Sequence, residues 1–352
     1  MDNFINNKNF NLSIYTVMHF IVDLSCIFFL TGMIYVRLPS YDQWVKAAIL
    51  YNMFAFALPM LLGFFADVVG QNAWTSGLGC LMVLVTYLWI PSPWLSVALI
   101  GIGNGLFHIG GGRQVLQDAE SKYAPSGIFI ASGALGVFLG KKMAADFRQI
   151  FFIVIWVVLA ICVLILAYNG IRQQKRAVRS LPSRQNITAK VLLFSLLIFL
   201  VVIIRSYYGF AAVYSWNNYF LIGLIFTLCI VAGKMLGGII ADRFGVMTAS
   251  VISLGGAGIL ALFAADSPVI GCISILLFNM TMPITLALLA DLWKELPGFA
   301  FGTLMMALFL GTLPSMLWKI NWMSSPAGLF GLCMISLALL VVTLLCSHKK
   351  ED

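Results

Sequence analysis

Charged residues are scarce in this sequence. Asp, Glu, Lys and Arg make up 10% of its 352 residues, whereas hydrophobic residues make up 61%, and the mean hydropathy is +1.00. A water-soluble fold of this length could not hide so much apolar surface in its core. The composition therefore excludes a soluble globular protein and predicts a polytopic membrane protein.

Motifs of several other protein classes are missing. The seven cysteines are scattered through apolar segments without CxxC spacing, which argues against a disulfide framework or a zinc knuckle. The sequence has no HExxH motif, no ATP-binding motif and no recognisable nucleophile–base spacing, and the glycines at 101–105 follow no strand. We therefore expect no enzyme activity, no cofactor and no resident metal. The net charge of +8 reflects membrane topology and not a nucleic-acid partner.

Twelve apolar segments are long enough to cross a membrane, given about 20 residues per crossing. Breaks at Pro, Asn and charge clusters place them at 12–36, 45–66, 74–90, 94–112, 125–143, 149–168, 190–212, 219–240, 247–265, 268–290, 299–318 and 325–346. The only long connection, 169–189, is basic and carries Arg172, Lys175, Arg176, Arg179 and Arg184. The predicted fold is an all-α membrane protein with twelve transmembrane helices in two six-helix bundles, 1–168 and 190–352.

The distribution of Lys and Arg predicts the orientation of these spans. With both termini in the cytoplasm, most basic loop residues lie inside, as the positive-inside rule requires. The basic residues left on the outer side are Arg37, Lys46, Lys141, Lys142, Arg148 and Lys319. We predict a monomeric multi-pass protein of the cell (inner or plasma) membrane with no cleavable signal peptide, because the first apolar stretch is too long for one.

An internal repeat relates the two halves. GFFADVVG at 63–70 recurs as GIIADRFG at 238–245, an offset of 175 residues, and both copies end a predicted span on the cytoplasmic side. At the same offset Asn104 corresponds to Asn279. The halves are therefore predicted to be structural duplicates.

The repeated GxxxDxxG loop resembles the signature of the major facilitator superfamily, and the similarity in architecture covers the whole chain. Within that superfamily, HFIVD at 19–23 and the segment GIGNGLFH that ends at His108 resemble the fosmidomycin-resistance branch of drug efflux transporters. Arg205 followed by aromatic residues, and ELPG at 295–298, add to this likeness. The resemblance implies that the first, fourth, seventh and tenth helices line a central cavity. It does not account for Gly110, Gly111 and Gly112, which follow the histidine.

Two sets of polar residues project from single faces of cavity helices. Tyr15, His19 and Asp23 follow one another at i, i+4 and i+8, and Asn104 and His108 are also i, i+4. A rise of about 1.5 Å per residue places the histidines in one layer and Asp23 with Asn104 in another, nearer the midplane. We predict that Asp23, His19 and His108 carry protons, because a charged Asp at the bilayer centre is costly and His titrates near neutral pH.

The structural alternative is that His19 only orients Asp23 in a packed bundle while a backbone carbonyl satisfies His108. Asn104 and Asn279 either bind substrate or form structural hydrogen bonds between helices. Tyr15 is a further substrate-binding candidate.

The seventh helix supplies an anion-binding candidate. Arg205 lies within a span, with Tyr208 three residues on, and a guanidinium can hold a carboxylate or phosphonate with two hydrogen bonds. Its alternative is snorkelling to the outer interface. Lys234 is expected to snorkel inward or to pair with an acidic loop residue.

The repeated loops are predicted to control gating. Gly63, Asp67 and Gly70 form the first copy, and the second copy consists of Gly238, Asp242, Arg243 and Gly245. Each aspartate is expected to cap the following helix and to pair across the two halves. The basic residues that normally follow the second glycine are missing, so the ion pair in the first copy must be weaker or must recruit a cation from elsewhere.

These residues favour a proton-coupled secondary transporter that exports a small organic anion by alternating access. One alternative is a divalent metal transporter of the same fold, in which His19, Asp23, His108 and Cys26 supply ligands. Another is a membrane receptor or assembly protein that does not transport. The expected partners are a small-molecule substrate, protons and the lipid bilayer.

Overall fold

The structure, a computed structural model, describes residues 8–88, 90–174, 187–318 and 322–348. Twelve helices, named α1 to α12 in chain order, occupy the twelve predicted spans. They are Lys8–Arg37, Tyr41–Val69, Asn72–Thr86, Pro93–Ala119, Ala124–Ala145, Gln149–Gln174, Ala189–Ala211, Phe220–Phe244, Val246–Ala261, Pro268–Leu292, Pro297–Leu317 and Pro326–His348.

Ten of these helices are long and apolar enough to cross a membrane, and α3 and α9 are shorter apolar helices. The chain is therefore a multi-pass membrane protein, and the twelve-helix prediction is confirmed. The largest difference from the predicted bounds is at the end of α4, which continues to Ala119 instead of ending at 112. This extension brings Arg113 into the helix.

Local sequence explains where several helices begin and end. Side-chain oxygens at the N-caps accept hydrogen bonds from backbone N–H groups three residues on, which satisfies donors that the helix leaves open. These N-caps are Ser40, Ser92, Thr188 and Ser267. Gly70 and Gly245 end α2 and α8 with φ of 71° and 86°, a backbone region that glycine enters without steric cost.

Three helices are locally widened. Segments with π-helical hydrogen bonding occur at Phe29–Ile34 in α1, Met53–Ala57 in α2 and Val251–Gly255 in α9. The segment in α1 leads directly into a 3₁₀ turn, Tyr35–Arg37, which ends the helix. Such irregular turns change the direction of the side chains that follow and are frequent at functional sites.

The chain forms two compact units. The first comprises Met1–Glu120, Ser132–Gln185 and Trp293–Met306, and the second comprises Ser121–Ala131, Asn186–Leu292 and Ala307–Asp352. The division at a basic linker stays a prediction, because Lys175, Arg176, Arg179 and Arg184 lie outside the described residues. Arg172 belongs to α6.

Glycines in α4 allow neighbouring helices of the first unit to approach closely. A Cβ added at Gly103 would lie 2.8 Å from the carbonyl oxygen of Gly79 in α3, and one at Gly105 would lie 2.9 Å from Pro59 in α2. Gly110 and Gly112 have the same function, since a Cβ at Gly110 would lie 2.6 Å from the Asn72 carbonyl oxygen and one at Gly112 would overlap the Phe301 ring. The glycine run is therefore explained by packing.

Candidate functional site

Asp23 lies between two histidines in the first unit. His19 Nε2 is 3.2 Å from Asp23 Oδ2, and His108 Nε2 is 3.7 Å from Asp23 Oδ1. The two imidazole rings meet edge to face, with centroids 4.5 Å apart. The histidines and Asp23, which the sequence analysis placed in separate layers, therefore form one cluster. The layers are only one helical turn apart, and the side chains span that distance. We call His19, Asp23 and His108 the coupling cluster.

Asn104 adds a fourth side chain beside the cluster. Its Nδ2 donates to Asp23 Oδ1 at 3.1 Å and approaches Cys26 Sγ at 3.4 Å. Its Oδ1 is buried and has no hydrogen-bond partner among the described residues. Asn104 therefore stabilises a charged Asp23 and presents an open acceptor.

The backbone fixes the tautomer of His108. His108 Nδ1 lies 2.9 Å from the Asn104 carbonyl oxygen, and a carbonyl can only accept, so Nδ1 carries a hydrogen. His108 Nε2 then faces Asp23 either as a second N–H donor or with a lone pair. A lone pair beside an ionised carboxylate is repulsive, so this position favours a proton or another cation.

Helix α5 closes the cluster on one side. A Cβ at Gly133 would overlap Asp23 Oδ2 and would lie 2.6 Å from His19 Nε2. Gly136 and Gly140 on the same helix approach the α1 backbone, at Phe20 and Leu24. The sequence analysis missed these glycines, although their spacing of three and four residues is the usual sign of a close helix contact.

The coupling cluster could also hold a metal ion. One ligand atom from each of the three side chains lies within 4.8 Å of the others. Imidazole nitrogen and carboxylate oxygen together suit first-row divalent metals. Cys26 contacts Asn104 and is not part of this ligand group.

Arg205 occupies a buried position in the second unit. It is 5% exposed, and its guanidinium carbon lies 5.2 Å from the centre of the Phe278 ring. Tyr208, which is fully buried, stacks on the same ring at 3.9 Å. The Nε atom has no hydrogen-bond partner, and no ion pair joins Arg205 to a carboxylate, within the part of the chain that the structure describes. Burial rules out snorkelling for this arginine.

Two other substrate-binding candidates lie in different surroundings. Asn279 Nδ2 donates to the Ile275 carbonyl oxygen of its own helix at 2.8 Å. Asn104 and Asn279 therefore occupy different environments, although they correspond in the repeat. Tyr15 is buried on α1, one turn before His19, and does not take part in the cluster contacts given above.

Lys234 forms a hydrogen bond with a backbone carbonyl, and its expected snorkelling or pairing with an acidic loop residue stays a prediction. The side chain is buried, and its Nζ donates to the carbonyl oxygen of Ile130 at 3.1 Å within the second unit. The contact is possible because Gly127, on the turn before Ile130, lets α5 approach the α8 backbone at Lys234.

Asp67 binds the N-terminus of a helix that is distant in sequence. Its carboxylate accepts from the backbone N–H groups of Gly298 and Phe299 in α11, at 2.9 and 2.8 Å. Arg113 Nε donates to the same carboxylate at 2.7 Å, and both side chains are buried. Asp67 therefore accepts hydrogen bonds at the start of α11 and not, as expected, at the start of the following helix α3, whose N-cap residue Gln71 makes no side-chain cap.

Asp242 makes the equivalent contact in the second unit. Its carboxylate accepts from the backbone N–H groups of Tyr123 and Ala124 at the start of α5, at 2.8 and 2.9 Å. Both donors precede Gly298 and Phe299 by 175 residues, the offset of the repeat. Burial raises the pKa of Tyr123 to about 12, and nearby Asp291 and Asp242 add to the shift.

Both contacts need the first glycine of the repeat. A Cβ at Gly63 would overlap the Gly298 carbonyl oxygen, and one at Gly238 would lie 2.6 Å from the Tyr123 carbonyl oxygen. Arg243 takes no part, since it is exposed and lies over the Phe244 ring at 5.6 Å. We call the Asp67 and Asp242 contacts the first and second helix-end contacts.

Comparison with known proteins identifies the architecture. No protein-family model and no curated protein sequence matches the chain. Its structure is similar to the Escherichia coli fucose:proton symporter FucP (TM-score 0.62, 10% identity, 96% of this chain and 98% of that one). It is also similar to a bacterial homologue of the iron transporter ferroportin (0.61, 12%, 95% and 98%) and to the human organic anion transporter MFSD10 (0.63, 13%, 95% and 99%). The chain has the fold of the major facilitator superfamily.

This fold makes Arg113 the most informative residue that the sequence analysis missed. The first copy of the repeat lacks a basic residue after Gly70, and Arg113 supplies the missing cation from α4. Arg113 also donates to Asn72, which is bonded in turn to Gln114 and Gln117. An arginine directly after the glycine run of α4 was the available signal, but the predicted span ended one residue too early to include it.

Proposed function

We propose that the chain is a proton-coupled secondary transporter that exports a small organic anion by alternating access. The observation that carries the proposal is the buried coupling cluster, in which Asp23 lies between His19 and His108. Ionisable groups inside membrane spans are costly and are typical of ion pathways. Export is proposed from the resemblance to the fosmidomycin-resistance branch, and a monomer with both termini in the cytoplasm is part of the same proposal.

The proton is held between His108 Nε2 and Asp23. With Nδ1 donating to the Asn104 carbonyl, a proton on Nε2 makes the imidazole a cation beside the carboxylate. Loss of that proton leaves a lone pair facing a negative charge, which raises the free energy of this arrangement. Protonation therefore biases the equilibrium between conformations, as coupling requires.

The substrate anion is bound by Arg205. Its guanidinium is buried, stacks on Phe278 and has an Nε donor without a protein partner among the described residues. A buried cation is stabilised when an anion with two oxygens binds it. A carboxylate or phosphonate fits this requirement, whereas a metal cation does not.

Each helix-end contact holds helices together within its own unit, at loops that the predicted topology places on the cytoplasmic side. Each consists of a carboxylate at a helix N-terminus, where the helix dipole favours a negative charge. Breaking these contacts and making them again is the gating step of the proposed cycle.

The proposal is tested with purified protein in liposomes that contain a pH-sensitive dye. A panel of small carboxylates and phosphonates is screened first by thermal shift, and each stabilising compound is then tested for proton movement and for counterflow. Asp23→Asn should abolish proton-driven transport while substrate exchange, which needs no net proton movement, persists. The matched control is Asp266→Asn, because Asp266 is exposed in a loop.

Equal loss of both activities in Asp23→Asn would assign Asp23 to substrate binding or structure instead of coupling. Uptake of a divalent metal by wild-type liposomes, with no response to any anion, would replace the proposal by the metal-transport alternative. In that case His108→Gln should abolish metal uptake, and Arg205→Gln should leave it unchanged or improve it.

A further inference from the structure

A cavity lies in the first unit, between the end of α1 and the end of α5. It has a volume of about 660 Å³, within the usual range of about 300–1,000 Å³ for ligand pockets. Its apolar wall includes Met33, Val36, Ala144 and Phe147, and its cations are Arg37 and Lys141. None of these residues belongs to the candidate sites described above, and the proposed function uses neither Arg37 nor Lys141.

The irregular end of α1 creates this cavity. The π-helical segment Phe29–Ile34 and the 3₁₀ turn Tyr35–Arg37 replace the last α-helical turns. Gly32 lies in the widened segment. Because it has no side chain, it leaves room beside Ala144 and Phe147, which lie at and just after the end of α5. Phe147 stacks on Phe28 at 5.5 Å, which fixes one wall of the cavity.

Both cations lie at or near the end of an apolar helix. Arg37 is the last residue of the span Lys8–Arg37, and Lys141 lies four residues before the end of the span Ala124–Ala145. One guanidinium nitrogen of Arg37 donates to the carbonyl oxygens of Ile90 and Pro91, both at 2.7 Å, which orients the group. Lys141 forms no ion pair in the described ranges of the chain.

Nearby carboxylates are already engaged. Asp146 pairs with Arg148 at 3.3 Å, and Asp42 pairs with Lys46 at 2.6 Å. Arg37 and Lys141 are also among the basic residues that depart from the positive-inside bias of the sequence. Two cations above an apolar cavity at the membrane surface are complementary to an amphiphile with an anionic head.

We propose that this cavity binds an anionic phospholipid of the surrounding bilayer. The phosphate lies between Lys141 and Arg37, and one acyl chain lies along Val36, Ala144 and Phe147 in the cavity. A free phosphate ion would leave the apolar wall uncovered, and a zwitterionic lipid would bring no net negative charge to the two cations. This inference does not depend on the proposed transport function.

The test compares lipid retention by native mass spectrometry of purified protein equilibrated with mixed micelles of phosphatidylglycerol and phosphatidylcholine. Wild type should retain phosphatidylglycerol in preference to phosphatidylcholine. Lys141→Gln should lower that preference by about fivefold, the usual effect of one basic residue near an anionic lipid surface. Lys142→Gln is the matched control, because Lys142 is the next residue and does not line the cavity.

A second variant fills the cavity without changing its charge. Ala145→Trp places a large ring against the apolar wall, and tryptophan is well tolerated at membrane interfaces. It should reduce phosphatidylglycerol retention while both cations remain. Equal retention in wild type, Lys141→Gln and Ala145→Trp, or equal loss in Lys141→Gln and Lys142→Gln, would overturn the proposal. Displacement of the lipid by an anion that stabilises the protein in the thermal-shift screen would instead make the cavity a substrate site.

Discussion

At the scale of single residues, Arg205 is buried while its Nε donor has no hydrogen-bond partner among the described residues. A guanidinium inside a membrane span is costly, and stacking on an aromatic ring such as Phe278 compensates by only about 0.5–2 kcal/mol. The unpartnered Nε is a further cost of burial. An anion that bound here would remove both costs, and for this reason the proposed substrate is an anion.

Arg205→Lys and Arg205→Gln should therefore weaken binding of an anionic substrate. Lysine keeps the charge but loses the planar pair of donors, so we expect a loss of about 1–3 kcal/mol for a contact with two hydrogen bonds. Glutamine should cost at least as much. The measurement is the dissociation constant of a compound identified in the carboxylate and phosphonate screen.

Arg243→Gln is the matched control for this pair of variants. Arg243 also lies over a phenylalanine ring, but it is exposed at the end of α8. Its replacement should leave affinity unchanged. Unaltered affinity in Arg205→Gln would remove this arginine from the binding site and with it the preference for an anion.

At the scale of helices, the position of α5 determines the geometry of the coupling cluster. Gly133 brings the α5 backbone against Asp23 and His19, so that no side chain separates them. In the proposed mechanism Gly133 is a positioning residue, because it would act through Asp23 and His19. The helix can therefore change the cluster whenever it moves, without providing a titratable group.

Gly133→Ala should impair proton coupling more than it impairs folding. The added methyl group overlaps Asp23 Oδ2, so the carboxylate or α5 must move, at a cost of about 1–3 kcal/mol for overpacking. We expect a lower melting temperature and loss of proton-driven transport, with counterflow exchange largely retained.

The matched control is Gly331→Ala in α12. A Cβ at Gly331 meets nothing within 4 Å, and alanine favours a helix over glycine by about 1 kcal/mol. This variant should be neutral or slightly more stable, with normal coupling. Normal proton-driven transport in Gly133→Ala would show that the cluster tolerates the displacement and that Gly133 has no positioning role.

At the scale of the whole molecule, the sequence repeat is matched by a repeat of contacts. Each aspartate of the repeated loop binds two backbone N–H groups at a helix start, and the two pairs of donors differ by the same 175 residues as the aspartates. The two copies differ in whether a cation pairs with the aspartate. Asp67 has buried Arg113 as a partner, whereas Asp242 is exposed.

The two helix-end contacts should therefore differ in strength. Asp67→Asn leaves Arg113 buried beside a neutral amide and should lower stability by about 1.5–3 kcal/mol. Asp242→Asn removes only the interaction of an exposed carboxylate with a helix N-terminus, worth about 0.3–1 kcal/mol. Thermal unfolding of the two variants in the same detergent measures the difference, and an equal loss in both would contradict the assigned role of Arg113.

Much of this architecture follows from the sequence alone. The number and approximate bounds of the helices depend on apolar segment length, which the bilayer thickness sets, and on local caps such as Ser92 and Gly70. The repeat identified Asp67 and Asp242 because both copies keep the same glycines. His19, Asp23, Asn104 and His108 were found from their spacing, since residues four apart share a helix face.

Only the tertiary structure decided which groups meet. Arg113 is 46 residues from Asp67, and Gly298 is 231 residues from it, so no local pattern links them. Each residue turns a helix by about 100°, so a small error in helix rotation or register changes which side chains face each other. Helix rotation and register decide three features: the meeting of two predicted layers in one cluster, the close approach of Gly133 and the carbonyl partner of Lys234. Local patterns in a single sequence do not determine that rotation and register.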